Sequence, residues 1–257
     1  MSSPPRLTAL LPPGPRLTPA EAMAGLDLKS EAPPDRPRVV LNMVATADGR
    51  AAINGSTVGM GGAADRELFH ELRTQVDAVM VGARTAAVER YGSLVRGEPD
   101  RTRRRSAGLD PEPLACLVSG RLHVPPDLPM LARAEARIVV ATAAPGDLPA
   151  SPATVSYLRA PTSGGDRVDL PTAVTGLWRE HRVRSVLCEG GPELNRGLLE
   201  AGLVDELFLT LVPVVTADPG APAIVSGGHL QAPARMDLVR VLEHDGHLFL
   251  RYRMRRS

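Results

Sequence analysis

Apolar residues in this chain fall into short unbroken runs separated by polar, glycine-rich or proline-rich stretches. Residues 38–45 (RVVLNMVA) and 76–82 (VDAVMVG) are of strand length and rich in β-branched residues. So are PLACLVS, ARIVVAT, TVSYL, RSVLCEGG and DELFLTLVPVV. Runs of this kind suit strands covered on both faces, as in a parallel sheet. Between them the period lengthens to that of a helix. One helix is predicted from an N-cap at Asp65, with Leu68, Phe69, Leu72 and Val76 on one face. Others are predicted over 83–90, 172–181 and 192–201, the last followed by Gly202 as a C-terminal stop. The pattern changes at the end, where MDLVRVLEHDGHLFLRYRM alternates about Asp245-Gly246, a hairpin signature. The expected fold is therefore α/β: a central, mostly parallel sheet with an antiparallel C-terminal hairpin at its edge.

Two segments lack such patterning. Residues 1–36 are rich in proline and read as a partly flexible arm, with a short helix over 19–26 capped by Thr18. Residues 97–110, which contain RTRRR, read as a solvated loop. There is no internal repeat, and residues 37–257 read as one domain.

Composition narrows the function classes. Thirty basic residues against 29 acidic ones give a net charge of +1, which steers the molecule to neither nucleic acid nor membrane. Aromatics are only 3% of the chain, too few for the stacking surfaces of single-strand binders. No apolar run approaches the roughly 20 residues of a membrane span. Prolines break up the N-terminal segment as a secretion signal. Cys116 and Cys188 lie in apolar runs without metal-ligand spacing, so reduced thiols, no metal and a cytoplasmic location are expected.

The segment with most chemistry follows Glu189. A strand runs into Gly190-Gly191, and Pro192 stands at the first helical position, where its missing N–H costs little. Leu194, Leu198 and Leu199 then face the core. Glycines at a strand-to-helix turn let a ligand approach the backbone, and the helix start offers free N–H groups suited to a pyrophosphate. A purely structural tight turn explains the same pair equally well. In open α/β sheets ligands gather at the C-terminal strand ends, which favours a ligand contact for Glu189.

With the following GLVDELFLTLVPVV, the stretch C-E-G-G-P-x-L resembles the pyrimidine reductases of riboflavin biosynthesis, which have the dihydrofolate-reductase-like three-layer sandwich fold and use NADPH. The resemblance spans about residues 37–253. It implies that Gly190, Gly191, Pro192, Glu193 and Leu194 belong to a cofactor turn reaching to Gly197, and that Glu189 faces substrate. The family's strand ending in S-L-D-G-[RK] is matched by Ala45-Thr46-Ala47-Asp48-Gly49-Arg50. This implies Ala45 beside the nicotinamide and Asp48 near the reacting centre, either holding the loop or orienting substrate. VDAVMVGARTAAVERYGSLVR resembles the family's G-x-x-T-V and D-[DN]-P-x-L-x-x-R series. That carries Gly82, Thr85 and Glu89 to cofactor contacts, and Arg73 and Arg96 to the substrate phosphate. Thr57 falls where the family touches substrate, while Gly59 and Ser119 match cofactor positions. Arg84, beside Thr85, is a candidate for the 2′-phosphate on charge alone. A homodimer and a small phosphorylated pyrimidine partner are implied as well.

The chain departs from the pattern at three places: Asn42 replaces a lysine, Glu89 an aspartate and Gly59 a tryptophan. No H-x-E or P-C-x-x-C segment marks a fused zinc deaminase. The implied reaction is hydride transfer to C1′ of a ribosylaminopyrimidine phosphate, with Asp48, Glu189 or water as proton donor. Two rivals stand beside it. One is a dihydropterin reductase on the same fold, which needs no phosphate anchor; the other is a non-catalytic nucleotide-binding module.

Overall fold

The computed structural model describes residues 4–57 and 59–255. Among them the apolar runs become the strands of one eleven-stranded sheet. The parallel part contains β3 (Arg38–Thr46), β4 (Ala78–Gly82), β5 (Leu114–Val118), β6 (Arg137–Thr142), β7 (Thr154–Arg159), β8 (Ser185–Cys188) and β9 (Glu206–Val212). Their spatial order is β9-β3-β8-β4-β5-β6-β7, and every neighbouring pair in it is parallel. Alternation along β4 shows why these strands are apolar throughout. Val79 and Val81 enter one core while Ala78 and Met80 enter the other.

Helices cover both faces. α1 (Pro19–Met23), α2 (Gly62–Arg73) and α3 (Ala83–Val88) pack on the first core through Ala22, Met23, Leu68, Leu72, Ala83 and Ala86. α5 (Leu170–His181) and α6 (Pro192–Glu200) pack on the second through Val174, Leu177, Leu194 and Leu198. The result is the expected three-layer arrangement. No helix among the described residues is long and apolar enough to cross a membrane.

The antiparallel part differs from expectation. β10 (Met236–His244) and β11 (His247–Met254) form the hairpin about Asp245 and Gly246, both at positive φ. They do not form the edge. β1 (Leu7–Leu11) pairs with β10, and β2 (Pro13–Leu17) closes the sheet outside β1. The stretch read as an arm is thus a folded ribbon, and Leu7 is fully buried. An edge strand tolerates prolines because one row of its amides has no ladder partner, which accommodates Pro13 and Pro15.

Two local readings are corrected. Gly61, rather than Asp65, is the N-cap of α2. Asp65 lies in the first turn and accepts the Thr210 hydroxyl at 2.5 Å, and burial raises its pKa. A Cβ on Gly61 would sit 2.0 Å from Asp65 Oδ2, so the start of the helix needs glycine. Residues 97–110 are not a loop but carry α4 (Glu98–Ser106), with acids in its first turn and arginines in its last, complementing the helix dipole. Arg101 and Arg103 pair with Glu112 and Glu71. Arg104 is completely buried and donates to the carbonyls of Arg73 (2.7 Å), Val76 (2.8 Å) and Asp110 (2.8 Å). Burial lowers its pKa to about 10, so the guanidinium stays charged at neutral pH. Arg104→Met should therefore lower stability by about 2 kcal/mol in urea unfolding, because three carbonyls lose their donor. The Arg101→Met control should shift it by less than about 0.5 kcal/mol.

Candidate active site

The C-terminal ends of β4 and β8 meet at the turn 189–191, with Met43 of β3 beside Gly190. Glu189 is still anchored to the sheet, its N–H donating to the Met80 carbonyl at 2.9 Å. One residue on, the Gly190 carbonyl accepts from Gly82 N–H at 2.7 Å, so β8 and β4 are laced at their tips. Gly190 has φ +92°, a conformation that favours glycine, and the Gly190–Gly191 peptide is cis. A Cβ at Gly191 would lie 2.6 Å from Thr85 Oγ1, so the turn is packed against α3 as well as open to ligand.

From Gly191 the chain enters α6, whose first turn has no side-chain cap. Leu194 packs into the core, leaving only its backbone at the helix start, while Glu193 is exposed. Behind them Arg196 is buried, pairs with Glu200, and holds an Nε with no partner beside Gly227. Asn195 fixes the overlying loop, donating to the Ile224 carbonyl at 2.8 Å. Free amides, a buried guanidinium with spare donor capacity and glycine-lined space fit a dinucleotide's phosphates. In register, Gly82 faces Val118, which sets Ser119 beside this end. Arg84 is exposed at the start of α3.

The other side of the same turn carries the strongest electrostatics. Arg73, the last residue of α2, grips Glu189 through Nε–Oε1 at 2.7 Å and Nη2–Oε2 at 2.8 Å. Both residues are buried, at 6% and 8% exposure. Burial opposes the charge on Arg73, but the adjoining Glu189 carboxylate outweighs it and holds the pKa above the ordinary arginine value. The guanidinium lies 4.1 Å from the Phe69 ring centroid and 5.3 Å from that of Tyr91. Tyr91 O–H donates to Glu189 Oε2 at 2.5 Å. A cleft of about 320 Å³ opens in front of this group, lined by Thr57, Phe69, Arg73, Glu89, Arg90 and Tyr91 among others. Thr57 donates to Glu89 Oε1 through its N–H (3.2 Å) and its hydroxyl (3.0 Å).

Several expected residues are placed differently. Glu89, expected on the cofactor, sits at the far end of α3 from Gly82 and lines the cleft with Thr57. Arg73, expected on the substrate phosphate, lines the cleft but is held by Glu189 and donates through Nη1 to the Leu94 carbonyl at 3.4 Å. Arg96 is engaged by Glu67 at 2.7 Å and by Asp100 at 3.4 Å. Asp48 holds the loop beyond β9, accepting from Thr46 Oγ1 at 2.5 Å and from Ala217 N–H at 2.9 Å. The Thr46 hydroxyl leads the interactions that lower its pKa to about 2, so it is a poor proton donor at neutral pH. Ala45 is buried near the end of β3. Gly59 is exposed at φ +82°, a backbone shape for which a tryptophan is poorly suited. Asn42 borders a separate internal cavity of about 30 Å³ with Asp65 and Thr210. Sequence reading assigned Phe69 to the core and missed Tyr91; the signal for Tyr91 was its place, one of only three tyrosines, two residues after Glu89.

Cys116 and Cys188 are buried on strands that flank β4, and burial pushes both thiols up to about 12.

This chain is 30% identical over 214 residues to the 2,5-diamino-6-ribosylamino-4(3H)-pyrimidinone 5′-phosphate reductase of Methanothermobacter thermautotrophicus, covering 80% of this chain and 92% of that protein. The Archaeoglobus fulgidus protein of the same name is 28% identical, covering 79% and 93%. Among solved structures, a pyrimidine reductase-like protein from Corynebacterium diphtheriae superposes with a TM-score of 0.77 at 24% identity, over 94% of this chain and 100% of that one. The family described as the RibD C-terminal domain matches residues 37–250. On that match the chain belongs to the RibD C-terminal domain family.

Proposed function

We propose that the protein is an NADPH-dependent reductase that converts the ribosyl group of 2,5-diamino-6-ribosylamino-4(3H)-pyrimidinone 5′-phosphate to ribityl. The observation that carries this reading is that one three-residue turn, 189–191, leads into a phosphate-accepting helix start and, through Glu189, holds Arg73 and Tyr91, which line the cleft. A cofactor along α6 and a substrate in the cleft meet there. NADPH supplies the hydride when bound. The chain's own part is to hold and orient. Gly82, Gly190, Gly191 and the amides of α6 take the pyrophosphate, with Thr85 and Ser119 beside them. Arg84 takes the 2′-phosphate. Arg73 is the cation that meets the substrate phosphate, and Glu189 orients the ribosylamine. Sequestering the reacting atoms on these rigid strand ends supplies proximity. Asp48 keeps the loop at 216–217 docked, so water or Glu189 is left to handle the proton.

Oxidation of NADPH with each candidate substrate tests the reading. The diaminopyrimidinone phosphate should be reduced, and a dihydropterin should not. NADPH should bind more tightly than NADH, and Arg84→Ala should erase most of that gap, roughly 10–100-fold or about 1.5–3 kcal/mol. Faster reduction of a dihydropterin than of either the diamino or the deaminated pyrimidine phosphate would sink the assignment.

A further inference from the structure

Glu189 is held from two sides by groups of different kinds. Arg73 reaches both of its oxygens, and the Tyr91 hydroxyl reaches Oε2 alone. Arg73 also lines the cleft, so an incoming phosphate competes with Glu189 for the same guanidinium. Arginine takes phosphate in the same bidentate geometry as carboxylate. Whatever hold Arg73 gives up must be replaced, because Glu189 is buried with one remaining neighbour in place. We propose that Tyr91 is a positioning residue that keeps Glu189 aimed at the reacting sugar while Arg73 is engaged by the substrate phosphate. The proposal rests on the reductase reading above.

Three features suit Tyr91 to this role. Burial and then the charge on Glu189 push its pKa well above the ordinary phenol value, so the hydroxyl remains a donor across neutral pH. Its backbone is fixed independently of the site, N–H to the Ala86 carbonyl at 2.9 Å and carbonyl to Met130 N–H at 3.0 Å. Its ring packs on the first core beside α3, so the hydroxyl approaches Glu189 from a rigid platform.

The test uses the full chain carrying Tyr91→Phe, which keeps the packed ring. Turnover is measured with the 5′-phosphorylated substrate and with the same ribosylaminopyrimidine lacking phosphate. For the phosphorylated substrate kcat should fall roughly 10–100-fold, the loss of a charge-assisted hydrogen bond, with KM changing less than about threefold. For the phosphate-free compound, which leaves Arg73 on Glu189, kcat should change less than about threefold. NADPH affinity should stay within about twofold of wild type. Tyr91→Gln, which retains a donor without the ring, should lose less kcat on the phosphorylated substrate than Phe does. Equal losses on both substrates, or no loss on either, would overturn the positioning role while leaving the reductase reading intact. A wild-type enzyme inactive on both compounds would overturn the reductase reading and this role with it.

Discussion

Arg73→Ala is expected to abolish turnover and to destabilise the protein by about 3–5 kcal/mol, because it strands a buried carboxylate without its cation. For a chain of this size that corresponds to a melting temperature lower by roughly 6–20 °C. The two effects have separate causes and can be pulled apart. In the double variant Arg73→Met/Glu189→Leu neither charge is left unpaired, so most of the stability should return. Activity should not return, since the group that orients the sugar is gone. Thermal unfolding and NADPH oxidation on the same preparations check both statements. Full stability in Arg73→Ala would mean that the Arg73–Glu189 pair contributes little to the fold. Retained activity in the double variant would remove Glu189 from the site altogether.

The second large effect is expected at Gly191. The sequence alone suggests that a side chain there would project only into the cofactor's space. The structure adds Thr85, whose hydroxyl oxygen lies 2.6 Å from where the Cβ would stand. Gly191→Val should therefore both weaken NADPH binding by more than about 100-fold, near 2.7 kcal/mol, and destabilise the fold by about 1–3 kcal/mol through overpacking. Adding Thr85→Ala should relieve the second effect and not the first. Fluorescence titration with NADPH and urea unfolding distinguish them. If the pair of changes restored cofactor affinity to near wild type, the turn would be structural and the phosphates would lie elsewhere.

The parallel strands were legible because burial on both faces leaves an unbroken apolar run, as VDAVMVG and ARIVVAT show. The hairpin was legible because Asp245 and Gly246 supply the positive φ values its turn requires. β1 and β2 were not, since each is only five residues long, Pro12, Pro13 and Pro15 interrupt the pattern, and the partner strand β10 lies more than 200 residues away. α4 escaped for a different reason. A buried arginine satisfied by backbone carbonyls has the same letter as its solvated neighbours, and only the fold separates Arg104 from Arg103 and Arg105. At the site, Glu189, Gly190 and Gly191 stood out through strand, turn and helix signals within a few residues. The partnership of Arg73 with Glu189 did not, because 116 residues separate them and no local pattern encodes a contact of that range. For Asp48 the sequence leaves two roles open, holding the loop or orienting substrate; the fold shows its carboxylate taken up by the 216–217 loop, a contact across 169 residues.

The pairing of Thr8 with Glu243 and of Ala9 with Leu242 also sets an order of assembly. During synthesis residues 7–17 emerge before the other strands, yet β1 has only the short β2 to pair with until 236–244 have left the ribosome. At roughly 5–20 residues per second this leaves a ribbon with an open edge for about 10–50 s. The parallel strands and their helices can assemble in that interval, but the first core stays open where Leu7 and Ala9 later fill it. Joining segments more than 200 residues apart is then the step that seals the molecule. A nascent chain stalled before β10 should expose Leu7 and be degraded or captured by chaperones, even though its cofactor turn is already complete.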